Sequence, residues 1–259
     1  MVQTATLWSG IQMSPWTLCA ALPVITFVSL VLAEKRSPET TTQPAKYSAA
    51  DWFLNLSGFF MQGLVIPAAG LALALFVFPT IFPGLHQCLK IGFAGAFFLN
   101  FVVVDLLYYF QHRAFHEVPM LWKFHAPHHY SPTVNVWATS RNALMTHFLF
   151  VYMLVSPILA YLCDVTEGFF AGAMLTASLD LFRHARLHVH IPLAEGILVT
   201  PGEHHRHHDA DKPEANYGAN FIFWDKLFGT FSPGEYFPAQ YAGQGQPSFR
   251  NQLLSPWRT

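Results

Sequence analysis

The sequence predicts an all-α, multi-span membrane protein with a helical cap that carries a histidine-rich di-metal site. Three observations predict this fold class. Hydrophobic residues make up 53% of the 259 residues and charged residues only 11%, well below the roughly 25% charged in soluble domains. Several long apolar segments follow one another, and helices are the usual way to cross a bilayer. Ten of the 14 histidines have metal-ligand spacing within four short blocks. We expect about four to five membrane segments in a single domain over residues 1–259.

The apolar segments cover about residues 15–33, 56–82, 91–110, 143–162 and 168–182. Most approach the roughly 20 residues that a helix needs to cross the hydrocarbon core. The first is preceded by residues 1–14, which contain no Lys or Arg. A signal peptide begins with positive charge, so a membrane helix is the better interpretation. The fifth segment is short and contains Asp180, so we expect it either to cross or to pair with the fourth as a hairpin.

Basic residues are distributed unequally between the two sides of the predicted membrane. With all five segments spanning, every Lys and Arg except Lys90 lies on the side that also holds the histidine blocks and the C-terminus. Because Lys and Arg favour the cytoplasmic face, we expect both on that face. The net charge of -1 gives no reason to expect a nucleic-acid partner. The three cysteines form no CxxC pair, so neither a disulfide nor a thiolate-metal framework is expected.

The four histidine blocks supply candidate metal ligands. Imidazole is the commonest metal-binding side chain, and residues four apart on a helix share a face. In an HxxHH block the first, fourth and fifth residues also share a face. The predicted ligands are His112, His116, His125, His128, His129, His184, His188, His204, His207 and His208. Because one tetrahedral ion takes four ligands, this number fits a two-metal centre.

Other polar residues near the blocks are candidates for supporting roles. We interpret His86, His147, His190 and His205 as structural, although the sequence leaves open a register in which His205 or His147 replaces a ligand. Acceptors that orient imidazole N–H groups commonly accompany metal-binding histidines. The candidates are Asp105, Asp180, Asn216 and Asp225. Turn and cap chemistry explains Asn216 and Asp225 equally well, whereas a carboxylate inside a membrane segment is expensive and usually has a functional partner.

The blocks and their flanks resemble the fatty acid hydroxylase / sterol desaturase superfamily of integral membrane oxygenases. Residues 105–131, DLLYYFQHRAFHEVPMLWKFHAPHHYS, are similar to that family's first two histidine boxes. Residues 184–231, with their NYG and WDKLFGTF elements, are similar to the rest, so the histidine-box core covers about 105–231. The resemblance implies two iron ions held by the ten histidines, with O2 as co-substrate. Two departures are His205 before Arg206 in the last box, and Arg141-Asn142-Ala143 where relatives often show Arg-x-His.

The activity that the resemblance implies is O2-dependent hydroxylation of an unactivated C–H bond in a lipid, sterol-like or other amphiphilic substrate. Iron performs one-electron and O2 chemistry, whereas zinc has no redox states. A desaturase on the same scaffold is the first alternative, because both reactions begin with hydrogen abstraction. A membrane metal-binding or transport protein is a remote alternative, since transport sites lie near the bilayer midplane and these ligands lie at segment ends.

Electrons for such a reaction have to come from a donor. The sequence shows no haem domain and no flavin or nicotinamide fingerprint. We therefore expect a separate electron donor, such as a cytochrome b5-like protein, a ferredoxin or a reductase.

Overall fold

The computed structural model describes residues 15–38, 46–192, 194–210, 214–233, 237–238, 241 and 247–255. Within these ranges every regular element is a helix, as the sequence predicts. The main helices are α1 (Pro15–Glu34), α2 (Ala49–Ile81), α3 (Gly92–Glu117), α4 (Pro119–His129), α5 (Leu144–Leu162), α6 (Thr166–His184), α7 (Pro201–His207), α8 (Phe223–Phe228) and α9 (Phe249–Leu254).

Three of the described helices, α2, α3 and α5, are long and apolar enough to cross a membrane. They correspond to the second, third and fourth apolar segments of the sequence. Helix α1 contains a shorter apolar stretch, Cys19–Glu34. Large apolar side chains point away from the protein on α2, where Leu71 is 59% and Phe76 73% exposed. A continuous apolar surface of this kind suits lipid rather than water, so the chain is an integral membrane protein.

Helix α2 begins before its apolar run because Ser48 and Asp51 cap it. The hydroxyl of Ser48 accepts the backbone N–H of Asp51 at 3.2 Å, and the carboxylate of Asp51 accepts the backbone N–H of Ser48 at 3.0 Å. Such a capping box satisfies two N–H groups that a helix otherwise leaves unpaired. Further along, α2 contains π-helical turns at Met61–Val65 and Leu73–Val77. Similar turns interrupt α3 at Leu99–Val104 and α5 at Val151–Val155, and π turns are frequent at functional sites.

Two loops meet at the end of the helix bundle that lies opposite the histidines. The carboxylate of Asp164, between α5 and α6, accepts the backbone N–H groups of Ile91 at 3.1 Å and Gly92 at 3.0 Å. Close by, the backbone N–H of Gln87 donates to the carbonyl oxygen of Tyr161 at 3.0 Å. Helices α3 and α6 therefore start at the same end of the bundle, and both end among the histidine blocks.

Helix α6 packs mainly against α1 and the N-terminal half of α3, rather than forming an isolated hairpin with α5. Two glycines allow the close approach to α3. A Cβ at Gly168 would lie 2.1 Å from the carbonyl oxygen of Phe93, and one at Gly172 would lie 3.0 Å from that of Phe97. Because α6 carries Glu167, Asp180 and Arg183, it is not among the three helices that are long and apolar enough to cross a membrane. A total of four to five spans stays a prediction.

Candidate metal centre

Four helices bring the histidine blocks together at one end of the bundle. His112 and His116 lie one turn apart near the C-terminus of α3, and α4 follows after a break at Val118, whose backbone is extended. Pro119 begins α4, where the missing N–H of proline costs nothing. Helix α6 ends at His184, and α7 begins with a capping box between Thr200 and Glu203. The described residues of the site thus come from helix ends that pack closely.

Nine of the ten predicted ligands form two groups, in each of which one ligand atom per residue lies within 4.8 Å of the others. The first group consists of His112, His116, His125, His129 and His207, and the second of His128, His184, His204 and His208. Rings of the two groups also touch, since the centroids of His129 and His208 are 4.4 Å apart. Two adjacent groups of this size have the donor number and type for two metal ions.

Backbone carbonyl oxygens determine which ring nitrogen of several histidines carries the proton. His112 donates from Nδ1 to Tyr217 at 2.8 Å, and His128 donates from Nδ1 to Arg141 at 2.9 Å. His207 donates from Nδ1 to the carbonyl oxygen of Ala215 at 2.7 Å. A carbonyl oxygen only accepts hydrogen bonds, so in the neutral ring Nε2 keeps its lone pair. These bonds therefore direct Nε2 lone pairs into the site, as in many metal centres.

The Nε2 atoms of the ligand histidines converge on common points in each group. In the second group His184 Nε2 is 2.9 Å from His204 Nε2 and 3.2 Å from His128 Nε2. The Nδ1 atoms of His184 and His128 both face carbonyl oxygens, so a neutral ring at either position turns the Nε2 lone pair towards the other ring. In the first group, buried Nε2 atoms without a hydrogen-bond partner belong to His116, His129 and His207. Metal ions would satisfy all these lone pairs, so the residues present fit a di-metal centre.

Burial keeps the imidazoles neutral, which is the form that binds metals. Desolvation lowers the pKa of His125 from 6.5 to about 3 and that of His207 to about 4. Desolvation, followed by repulsion from neighbouring imidazoles, lowers the pKa of His128 and His129 well below 6.5. Charged imidazoles at this density would repel one another, so these four rings are neutral near pH 7 and can each offer a lone pair to a metal ion.

The four proposed supporting residues have different positions. Asp180 lies beside a ligand, because His184 Nδ1 is 2.7 Å from its carbonyl oxygen and 3.1 Å from its carboxylate. Asp105, in contrast, accepts the backbone N–H of Asn220 and the indole N–H of Trp224, both at 2.8 Å. Its place on α3 therefore serves to hold residues 220–224 against that helix, and its hydrogen bonds go to these residues rather than to the imidazole that the sequence led us to expect.

Asn216 and Asp225 also contact backbone rather than imidazole. Asp225 accepts the backbone N–H groups of Tyr217 at 2.7 Å and Gly218 at 2.8 Å, and burial raises its pKa to about 6. Asn216, whose backbone φ is +57°, bonds in both directions to Ser232. The turn chemistry that the sequence allowed is thus what the structure shows. Asp225 supports the ligand His112 indirectly. It holds the backbone of Tyr217, and the carbonyl oxygen of Tyr217 accepts a hydrogen bond from His112.

Five of the 14 histidines lie outside both groups, and three of these, His147, His188 and His205, bear on the choice of ligands. His188 is exposed, because α6 ends at His184 and the extended backbone at Ala185 removes the helical spacing. His205 is buried with Nδ1 2.7 Å from the hydroxyl of Tyr241 and Nε2 3.1 Å from the carbonyl oxygen of Ala185. His147 is buried beside the second group but is not part of it. The structure therefore places neither His205 nor His147 in the position of a ligand.

Sequence reasoning missed the carbonyl acceptors of Arg141, Ala215 and Tyr217, together with Asn142. Every residue has a carbonyl, so residue type gives no signal for the first three. Asn142 Oδ1 accepts from His125 Nδ1 at 3.2 Å, and in the sequence Asn142 stands out only because Arg141-Asn142-Ala143 departs from the family pattern. Arg141 is wholly buried and holds three segments together, since it donates to Pro127, Asp51 and Gln252.

Comparison with known proteins agrees with this geometry. The model of the fatty acid hydroxylase family matches residues 97–230. Alkylglycerol monooxygenase of Xenopus tropicalis is 33% identical over 138 residues, which cover 52% of this chain and 30% of that protein. Ornithine lipid hydroxylase OlsE of Rhizobium tropici is 32% identical over 135 residues, covering 51% of this chain and 40% of that protein. A cholesterol 25-hydroxylase-like protein of Danio rerio is 31% identical over 135 residues, or 50% of this chain and 52% of that protein.

The matched region spans only about a third of the length of the alkylglycerol monooxygenases, at 30% of the Xenopus protein and 31% of the Danio protein. It contains all the histidines of both groups. No solved structure matches the chain.

Proposed function

This chain belongs to the fatty acid hydroxylase family, and on that premise we propose that it is a membrane-bound di-iron oxygenase. It hydroxylates an unactivated C–H bond of a lipid, sterol-like or other amphiphilic substrate, with O2 as co-substrate. The observation that carries the proposal is the pair of buried histidine groups, whose Nε2 lone pairs converge. The named relatives are hydroxylases and monooxygenases of lipids, which supports the same chemistry here.

The proposed ligands are the nine histidines of the two groups, with one ion for each group. His188 is left out of this set because it is exposed beyond the end of α6. Imidazole suits iron, zinc, copper and nickel alike, so the assignment of iron comes from the reaction. When bound, iron supplies the O2 activation and one-electron chemistry that protein side chains lack.

The protein's own residues orient these ligands and exclude water. The carbonyls of Tyr217, Arg141 and Ala215 hold the rings through Nδ1, which leaves Nε2 to face the metal. The buried ligand side chains pack against aromatic residues, including Phe115, Trp122 and Tyr217. Dry surroundings protect reactive species from side reactions with water, which an oxygenase requires.

We also propose that the histidine groups and the C-terminus face the cytoplasm. The positive charge on this side of the predicted membrane supports that orientation. Substrates would then reach the site from the bilayer, and electrons from a separate cytoplasmic donor such as a cytochrome b5-like protein, a ferredoxin or a reductase. Desaturation is the alternative outcome of the same first step, and the relatives' names favour hydroxylation. Transport is disfavoured because the described ligands are enclosed.

Mass spectrometry of lipids from expressing cells tests the proposal. Cells that produce the wild-type protein should accumulate a lipid that is heavier by about 16 mass units, the mass of one added oxygen. Cells that produce His128→Ala should not, although the variant protein should remain in the membrane. A product lighter by about two mass units would indicate the desaturase instead. An unchanged lipid profile, with iron-loaded protein in the membrane, would contradict both versions.

A further inference from the structure

A small polar cavity adjoins the metal centre and reaches the membrane helices. Its volume is about 30 Å³, which is room for one or two waters or for a single functional group. Its walls include imidazoles of both histidine groups, among them His112, His128 and His184. They also include Gln62 from α2 and Tyr152 from α5. A substrate group in this cavity would therefore lie directly against the proposed metal ligands.

His147 lines the same cavity and has no part in either histidine group. Its side chain is only 3% exposed, and its Nε2 has no hydrogen-bond partner among the described residues. An unpaired buried nitrogen is costly, so this group is well placed to bind a polar atom of a molecule that enters the cavity. The short 3-10 helix that carries His147 is held in place, because the hydroxyl of Thr146 donates to the carbonyl oxygen of Phe124 on α4.

The two membrane helices beside the cavity present polar residues inward and apolar residues outward. Gln62 and Leu64 belong to the π turn Met61–Val65, and Tyr152 and Leu154 belong to the π turn Val151–Val155. Gln62 and Tyr152 line the cavity, whereas Leu64 and Leu154 are exposed. A ligand at this place would meet hydrogen-bonding groups inside and apolar surface outside, which suits an amphiphile.

We propose that Nε2 of His147 forms a hydrogen bond with an oxygen atom of the substrate and thereby sets which carbon lies against the metal centre. The fitting substrate class is a long-chain amphiphile with a hydroxyl, ether, ester or amide oxygen close to the oxidised carbon. The small polar cavity receives this oxygen-bearing segment, and the alkyl chain lies along the apolar outer surfaces of α2 and α5. This inference rests on the proposed function, and His147 is a specificity-determining residue rather than a metal ligand.

Binding of a defined probe to zinc-loaded protein tests this role without turnover, because zinc has no redox states. The probe is 1-O-hexadecylglycerol in detergent micelles, and hexadecane is the control that lacks oxygen. His147→Ala should weaken binding of 1-O-hexadecylglycerol about tenfold, the loss expected for one hydrogen bond, and leave hexadecane binding unchanged. His147→Gln should restore part of the binding. Met145→Ala is the matched control, because Met145 lies on the same turn and is 39% exposed.

Metal content separates the proposed role from a ligand role. Wild type, His147→Ala and His147→Gln should all retain two zinc ions per chain by elemental analysis. Loss of an ion from His147→Ala would overturn the proposal and make His147 a ligand. Equal binding of 1-O-hexadecylglycerol to wild type and His147→Ala, or no preference of wild type for it over hexadecane, would also overturn it. If iron-loaded wild type binds the probe with this preference but oxidises no lipid, the proposed function fails while the role of His147 stands.

Discussion

His112 donates a hydrogen bond from Nδ1 to the backbone carbonyl oxygen of Tyr217, 2.8 Å away and 105 residues later in the chain. The peptide of Tyr217 is itself held by Asp225, whose carboxylate accepts the backbone N–H groups of Tyr217 and Gly218. The NYG and WDKLFGTF elements therefore act as one unit. Through that unit, a carboxylate that touches no imidazole determines the tautomer of a proposed ligand.

Replacing Asp225 should therefore weaken metal binding without removing a ligand. In Asp225→Asn one carboxylate oxygen becomes an NH2 group, which cannot accept the N–H of Tyr217 or Gly218. We expect metal affinity to fall about 10- to 100-fold, the usual effect of losing an outer hydrogen-bond partner. Competition with a chelator measures it. Lys226→Gln is the control, since Lys226 is exposed on the same helix and its ammonium group donates to the carbonyl oxygen of Gly196, away from Tyr217 and Gly218. Unchanged metal affinity in Asp225→Asn would show that Asp225 does not support His112 through Tyr217.

His188 and His204 give the sharpest contrast between the sequence and the structure. Both belong to histidine blocks, but His204 is in the second group and His188 is exposed outside both. Elemental analysis of purified, tag-free His204→Ala should find at least one ion fewer per chain than in wild type. His188→Ala should retain both ions. The reverse result would show that α6 continues to His188 in the metal-loaded protein.

Acid should destabilise the metal-free protein because the buried histidines resist protonation. The pKa of His125 and of His205 falls from 6.5 to about 3, and that of His207 to about 4, mainly through desolvation. Below pH 6.5 the unfolded chain takes up protons that the folded chain does not, so unfolding becomes easier. The melting temperature in detergent should be level above pH 6.5 and should fall as the pH drops towards 4. A melting temperature that rises in this range would contradict the burial of the cluster.

Membrane orientation can be tested with two cysteines. Cys88 is exposed in the loop between α2 and α3, and Arg250 is exposed on α9 near the C-terminus. In an Arg250→Cys variant that also carries Cys19→Ser, an impermeant thiol reagent should label Cys88 in intact cells. The cysteine at position 250 should react only after lysis. The opposite order of labelling would place the histidine groups outside the cytoplasm.

Much of the fold and of the site follows from the sequence, because both depend on local patterns. The apolar segments predicted the helical membrane class. The spacing of His112 and His116 predicted that both lie on one face of a helix, and in the structure both lie on α3 and belong to the first group. The same spacing argument did not predict the position of His188, because the helix ends four residues earlier at His184. The apolar pattern also did not reveal the cap formed by Ser48, which begins α2 at Ala49.

Contacts between distant segments could not be predicted in the same way. A carbonyl acceptor such as that of Arg141 has no signature in the sequence, because every residue carries one. The roles of Asp105 and Asp225 depend on backbone N–H groups that fold onto them from elsewhere in the chain. Residue type identified these carboxylates as important, but only the packed structure shows which atoms they bind.

If the two histidine groups hold iron, as proposed, the protein would add one atom of O2 to a lipid. Product analysis under 18O2 tests it most directly, with iron-loaded wild-type protein, an electron donor and membrane lipids as substrate. We predict a hydroxylated lipid that carries 18O, and no product from His207→Ala assayed in the same way. A hydroxylated product without the label, or full activity in strict anaerobiosis or with zinc alone, would contradict the account.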